Sequence, residues 1–243
     1  MPSPTSPPSF DTSAPAPDTS APFQDTAAVA SYADRTRRLV PGYDDMQRMA
    51  AVLVAERAPP DARVLVVGAG GGAELALFAR LHAGWRFVGV DPALPMLEQA
   101  KAALGPLADR AQLHHGYVDT APEGPFDAAT CILTLHFIAP EERRRTLAEI
   151  RRRLKPGAPF VIAHLSFPQA PEEDKQRWFA RYVAFAESSG VEFGDARNAV
   201  SVMQSQLTLL SPADEEAMLR EAGFSGAQTF YQGFTFRGWV AYA

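Results

Sequence analysis

Apolar residues recur at helical spacing over two opening stretches, Thr26 to Leu39 and Asp44 to Arg57. Between them Pro41-Gly42 stops one helix and turns the chain, and Pro59-Pro60 ends the second. The pattern then changes period. Arg63 to Val67 is a short β-branched run ending in glycines, Ala73 to His82 reads as a helix, and Trp85 to Val90 as a second strand. A helix from Pro95 to Leu104, strands near Gln112 to Gly116 and Ala128 to Leu133, a helix from Pro140 to Leu154 and a strand from Phe160 to His164 continue the series. This alternation predicts a parallel sheet covered by helices on both faces. From Pro171 to Gln206 the chain reads as a helical insertion, with Trp178, Phe179, Tyr182 and Phe185 near helical spacing; a Pro212-led helix follows and stops at Gly223. The last two runs, Ala227 to Tyr231 and Phe234 to Tyr242, predict a hairpin with Gln232-Gly233 as its tight turn and the glycine supplying a positive φ.

Composition adds the boundaries. A chain of 243 residues, 47% hydrophobic and 21% charged, fits one α/β domain with a full core. The first 26 residues hold seven prolines, and no Lys or Arg precedes Arg35, so residues 1–26 are expected as a disordered tail and 27–243 as the domain. The start lacks a basic and apolar signal pattern, and no stretch approaches the roughly 20 apolar residues of a membrane span. With Cys131 as the single cysteine, a disulfide within the chain is excluded and a cytoplasmic location expected. The net charge of −5 argues against a nucleic-acid partner. The dense Arg143 to Arg145 and Arg151 to Arg153 groups share a helix with Glu141, Glu142 and Glu149, which reads as a solvated face.

Gly68-Ala69-Gly70-Gly71-Gly72 lies between the first strand and its helix, where backbone must approach a ligand closely. The next strand ends at Asp91, 19 residues beyond Gly72, placed to accept both hydroxyls of a ribose. A cofactor containing adenosine is implied; the loop alone leaves nicotinamide, flavin and methyl-donor cofactors open.

Val64 to Gly72, Gly89-Val90-Asp91-Pro92 with Met96-Leu97, and Leu154-Lys155-Pro156-Gly157-Ala158, followed by a terminal hairpin, resemble the motif succession of class I S-adenosylmethionine-dependent methyltransferases. The resemblance implies a Rossmann-like, seven-stranded, mostly parallel sheet with an antiparallel terminal strand and a helical lid, built from about 27–57 and 168–208. It implies that Gly68, Ala69, Gly70 and Gly72 approach the methionine part, that Asp91 with Pro92 holds the ribose, and that Leu94 to Met96 flank the adenine. It implies further that Gly116, Tyr117 and Val118 face the base edge and that Leu133 and Thr134 border the site after the fourth strand. Two departures stand out: Val66 and Tyr117 occupy positions where such enzymes often carry an acidic residue.

Arg37 to Tyr43, Leu133 to Phe137, Ala222-Gly223-Phe224 and Phe230 to Phe234 are similar, further, to bacterial carboxy-S-adenosylmethionine synthases, which take part in tRNA wobble-uridine modification. This implies that Tyr43 closes over the cofactor and that the insertion forms a homodimeric lid. Where those enzymes place an arginine for the extra carboxylate stands Val200, which cannot pair with an anion; Arg197 is one helical turn away.

The expected activity is therefore in-line methyl transfer from S-adenosyl-L-methionine to a small, apolar or aromatic acceptor. Carboxyl transfer to the cofactor and non-catalytic cofactor binding are the alternatives. The sulfonium is already electrophilic, so a base is needed only for a protonated acceptor; His136, His164 and Tyr43 are the candidates. His114 and His115 point to opposite faces of a strand, and no metal is expected.

Overall fold

Runs of apolar residues without polar alternation form the centre of the molecule: β1 (Arg63–Val67), β2 (Arg86–Asp91), β4 (Ala128–Ile132) and β5 (Pro159–Leu165) are buried at nearly every position. Strands buried this completely must be covered on both faces. The computed structural model describes residues 23–24, 26–193 and 196–243. Its seven-stranded sheet adds β3 (Ala111–His115), β6 (Ser225–Gly233) and β7 (Phe236–Tyr242), in the order β3-β2-β1-β4-β5-β7-β6. All pairs from β3 to β5 are parallel, whereas β7 runs antiparallel to both β5 and β6.

Alternate side chains of each strand serve opposite faces. Val64, Val66, Phe87 and Val161 join one core with α2 (Tyr43–Ala55), α3 (Ala73–Leu81), α4 (Leu94–Leu104) and α6 (Glu172–Ser188). Their neighbours Leu65, Val67, Val88 and Ile162 join another with α5 (Pro140–Arg153) and α8 (Pro212–Glu221). Two further helices, α1 (Thr26–Leu39) and α7 (Ala196–Gln206), lie over the carboxyl ends of the strands beside α6.

Three expectations change. The hairpin turn is Phe234-Thr235, two residues later than Gln232-Gly233, and the positive φ of 49° belongs to Phe234. Gly233 is a glycine for space: a Cβ there would lie 2.3 Å from the Tyr231 hydroxyl, which itself donates to Pro41 O. Residues 1–22 and 25 of the expected tail lie outside the described residues, but Phe23 packs edge-on against Tyr32 and Phe137, with centroids 5.4 and 5.3 Å away. The arginines of α5 do not all face solvent. Arg144, Arg145 and Arg152 do, paired with Glu141, Glu142 and Glu149, but Arg143 and Arg153 are fully buried. The Arg197 side chain lies outside the described residues.

Arg143 donates to Glu215 of α8, to Ile138 O at 3.3 Å and to Thr208 O at 2.8 Å, so one guanidinium joins α5, α8 and the two loops between them and the sheet. His164 Nε2 of β5 stands 3.0 Å from the same Glu215 carboxylate. Burial alone would raise the Glu215 carboxyl; the charges and hydrogen bonds of His164 and Arg143 outweigh it and hold it below the usual carboxylate range.

Arg143→Leu leaves the Glu215 carboxylate buried beside His164 without the guanidinium that also bonds it, and is expected to cost about 3–5 kcal/mol. Arg144→Leu, on the solvated face, should stay within about 0.5 kcal/mol. Urea unfolding of the two variants checks the difference. Because the folded Glu215 is held low, its contribution is present above the unfolded carboxylate range and is lost as pH falls through the folded value. Glu215→Gln should accordingly flatten the acid limb of the stability curve.

Candidate functional site

Strand order reverses beside β1, whose neighbours are β2 and β4, so the loops leaving β1 and β4 diverge and open a cleft at the carboxyl edge of the sheet. Gly68 to Gly72 form its floor. Gly68 and Ala69 donate to Val90 O at 2.8 and 2.9 Å, and Gly72 donates to Ala69 O at 3.0 Å, which folds the loop back across the end of β2. Two of these positions require glycine. At Gly68, φ is +73° and a Cβ would lie 1.9 Å from Thr134 Oγ1; at Gly72, φ is +78° and a Cβ would lie 2.5 Å from Ala100 Cα.

Asp91 holds the loop in place. Its Oδ2 accepts from Gly70 N at 2.8 Å and its Oδ1 from Ala93 N at 2.9 Å, so each oxygen keeps a lone pair for a ligand. Burial raises the Asp91 carboxyl, opposed by those two backbone donors and by His115.

Gly68, Ala69, Gly70, Gly72, Asp91, Pro92, Met96, Gly116, Tyr117, Val118, Leu133 and Thr134 all line this one cleft, as does Tyr43. Leu94 does not; it is exposed on α4. Burial pushes the Tyr43 hydroxyl up to about 12, partly offset by Gln47, so at neutral pH it is a proton donor rather than a base.

A second cavity, of about 520 Å³, lies beyond the cleft and shares with it Phe23, Tyr32, Thr36, Leu133 and Phe137. Its other walls include Leu39, Val40, Leu165, Phe193, Met203 and Phe236. Of the four aromatic residues singled out on the insertion, Tyr182 alone lines it. Phe179 is buried edge-on to Phe167, Trp178 carries the Arg181 guanidinium over its ring at 4.4 Å, and Phe185 meets Phe234. At the shared wall Leu133 has φ +57°, a conformation that a branched side chain adopts only under constraint.

The histidines separate. His164 is fully buried against Glu215 and Trp239 and lines neither opening, contrary to the expectation that it could meet an acceptor. His136 forms wall of the second cavity. Its Nδ1 accepts from Leu165 N at 3.3 Å, so the neutral ring carries its proton on Nε2. Burial, with His164 and Arg143 adding repulsion, holds this imidazole well below its usual range, which makes Nε2 a hydrogen-bond donor at neutral pH and not a base. His114 bonds Thr120 and His115 bonds Pro92 O, each away from the other.

Sequence reasoning missed Glu74, Gln47, Tyr32 and Thr36, all of which line the cleft. The signal was helical spacing. Tyr32 and Thr36 are one turn apart on α1, Tyr43 and Gln47 one turn apart on α2, and Glu74 stands one turn before the buried Phe78 on α3.

Residues 64–157 match a family model described as a methyltransferase domain. Over 219 residues, covering 88% of this chain and 80% of the relative, the sequence is 27% identical to the carboxy-S-adenosyl-L-methionine synthase of Chromohalobacter salexigens. Two solved structures share the fold. Human N-acetylserotonin methyltransferase, in complex with SAM, superposes with a TM-score of 0.61 at 15% identity, over 94% of this chain and 60% of that one. An O-methyltransferase family protein from Burkholderia thailandensis gives 0.64 at 16% identity, over 92% and 61%.

Gly72→Ala and Gly157→Ala both place a side chain at positive φ, but a Cβ at Gly157 meets nothing within 4 Å. The Gly157 variant should lose about 1–2 kcal/mol; the Gly72 variant should lose clearly more, because α4 must also move. Thermal unfolding of both checks this.

Proposed function

We propose, from the match of residues 64–157 to a methyltransferase domain model, an enzyme that transfers the methyl group of S-adenosylmethionine to a small apolar or aromatic acceptor held in the second cavity. The observation that carries this reading is the pair of openings sharing the wall Leu133 to Phe137 at the carboxyl end of β4. One is floored by the glycine loop and Asp91; the other combines apolar walls with Arg35, Thr36, His136, Glu192 and Gln206, so it can bury the body of an acceptor and hold its polar groups.

The residues present fit the cofactor. Asp91 has a lone pair left on each oxygen for ribose hydroxyls, the glycine loop leaves room for a ligand against backbone, and Glu74 and Gln47 hold buried oxygens without partners. Gly68 to Gly72 would hold the methionine part, Asp91 and Pro92 the ribose, and Met96, Gly116, Tyr117, Val118, Leu133 and Thr134 the adenine side and the opening. S-adenosylmethionine supplies an electrophilic methyl group, so the protein's task is alignment. The second cavity orients the acceptor and keeps water from it. His136 Nε2–H donates to an acceptor oxygen, and Tyr43, protonated, covers the donor side.

Likeness to the carboxy-S-adenosyl-L-methionine synthases supports a second reading, carboxyl transfer to the cofactor. Val200 speaks against it: where the resemblance implies an arginine, this side chain packs against the apolar core. The resemblance also underlies the proposed homodimer, and the buried, unpaired Cys131 fits a reducing, cytoplasmic setting. Light scattering tests the dimer.

Calorimetry with S-adenosylmethionine should show binding below millimolar concentration, and absence of binding would remove the reading. A co-purifying ligand with the mass of the unmodified cofactor separates methyl transfer from the synthase reading; the carboxylated mass would reverse the choice. With a turned-over acceptor identified, the rate should not change through the ordinary histidine range near 6.5 on account of His136, which stays neutral there.

A further inference from the structure

Among the polar groups of the cleft, Glu74 is the least explained by the fold. It is the second residue of α3, directly after the glycine loop, and it is 5% exposed. No ion pair reaches it among the described residues, and its Oε1 is buried without a hydrogen-bond partner. A carboxylate removed from water in this way costs free energy unless something compensates it, and the fold supplies only the nearby Thr130 hydroxyl. Tyr43 and Gln47 of α2 line the cleft with it, and the buried Thr130 and Cys131 of β4 lie behind it. Gln47 Oε1 is likewise buried and unpartnered. Two orphaned oxygens, one acidic, beside a glycine floor form a receptor for a cation with several N–H donors. Below the loop β1 itself offers no acid, since Val66 is fully buried and apolar, and Asp91 at the end of β2 is engaged by Gly70 N and Ala93 N.

We propose that Glu74 is the anchor for the α-ammonium group of the cofactor's methionine part, with Gln47 as its companion acceptor. This rests on S-adenosylmethionine being the ligand. The cofactor brings an ammonium with three donors, and the pairing removes the unsatisfied state of both oxygens at once. It also sets the cofactor's direction in the cleft, because Asp91 lies at the opposite side of the glycine loop and takes the ribose end.

Burial pushes the free Glu74 carboxyl up to about 7, the Thr130 hydroxyl lowering it slightly; the titratable groups facing it are Tyr43 from α2 and Cys131 from β4, both neutral at that pH. Near neutrality the empty site is therefore partly protonated, and an arriving ammonium ion drives that proton off.

The test uses S-adenosylhomocysteine and 5′-methylthioadenosine, which share the nucleoside while only the first carries the amino acid. Glu74→Gln should weaken S-adenosylhomocysteine by about 10- to 100-fold and leave methylthioadenosine unchanged. Unchanged affinity for both, or an equal loss for both, overturns the proposal. Failure of wild-type protein to bind either ligand instead removes the cofactor reading on which it rests. On wild-type protein, calorimetry at pH 7 in buffers of different ionisation enthalpy should find a fraction of a proton released with S-adenosylhomocysteine and none with methylthioadenosine. No release with the first overturns the proposal even if the variant does not fold. Removing a buried, unpaired carboxyl should not lower the thermal midpoint of the ligand-free variant.

Discussion

Everything functional in this protein follows from the place where the sheet changes direction. Because β1 takes β2 on one side and β4 on the other, the loop after β1 cannot pack against the loop after β4, and a gap must open between them. Only a backbone without side chains turns tightly enough to floor that gap, so the glycines follow from topology as much as from a ligand. Asp91 then fixes the turn by accepting from Gly70 N and Ala93 N, and α1 and α2 wall what remains.

A second constraint holds the opposite face. The Arg143 guanidinium draws α5 and α8 onto the sheet through the buried Glu215 carboxylate and two loop carbonyls, and β5 contributes His164 to the same cluster. This explains why a histidine at the end of a core strand is absent from the second cavity. Its ring belongs to the scaffold, whereas His136, three residues past the glycine-facing wall at Leu133, reaches the cavity.

Strand and helix positions, the glycine loop and Asp91 were legible because each depends on short-range spacing. The misplaced hairpin turn shows where that logic stops: Gly233 looked like a turn glycine, but it is small because Tyr231 and Pro41 crowd it, while Phe234 takes the left-handed φ. The buried arginines of α5 were readable in principle, since Arg143, Leu147, Ile150 and Arg153 fall on one stripe, yet charge patterning favoured solvent. Glu74 and the α1 and α2 residues escaped because their role depends on contacts between elements distant in sequence. The match to a methyltransferase domain covers the sheet core at 64–157, and the second cavity is built largely from residues on either side of it.

Leu133 is worth following one step further. Its side chain is a partition between two chambers, and its backbone is held at a positive φ with its N–H on Ala163 O at 2.6 Å. A partition set this way has little freedom to yield to one tenant without being felt by the other. Whatever the two occupants do to it, linkage makes the effect reciprocal: if a filled donor chamber tightens the acceptor's grip, the acceptor must slow the departure of the spent donor to the same extent in free energy.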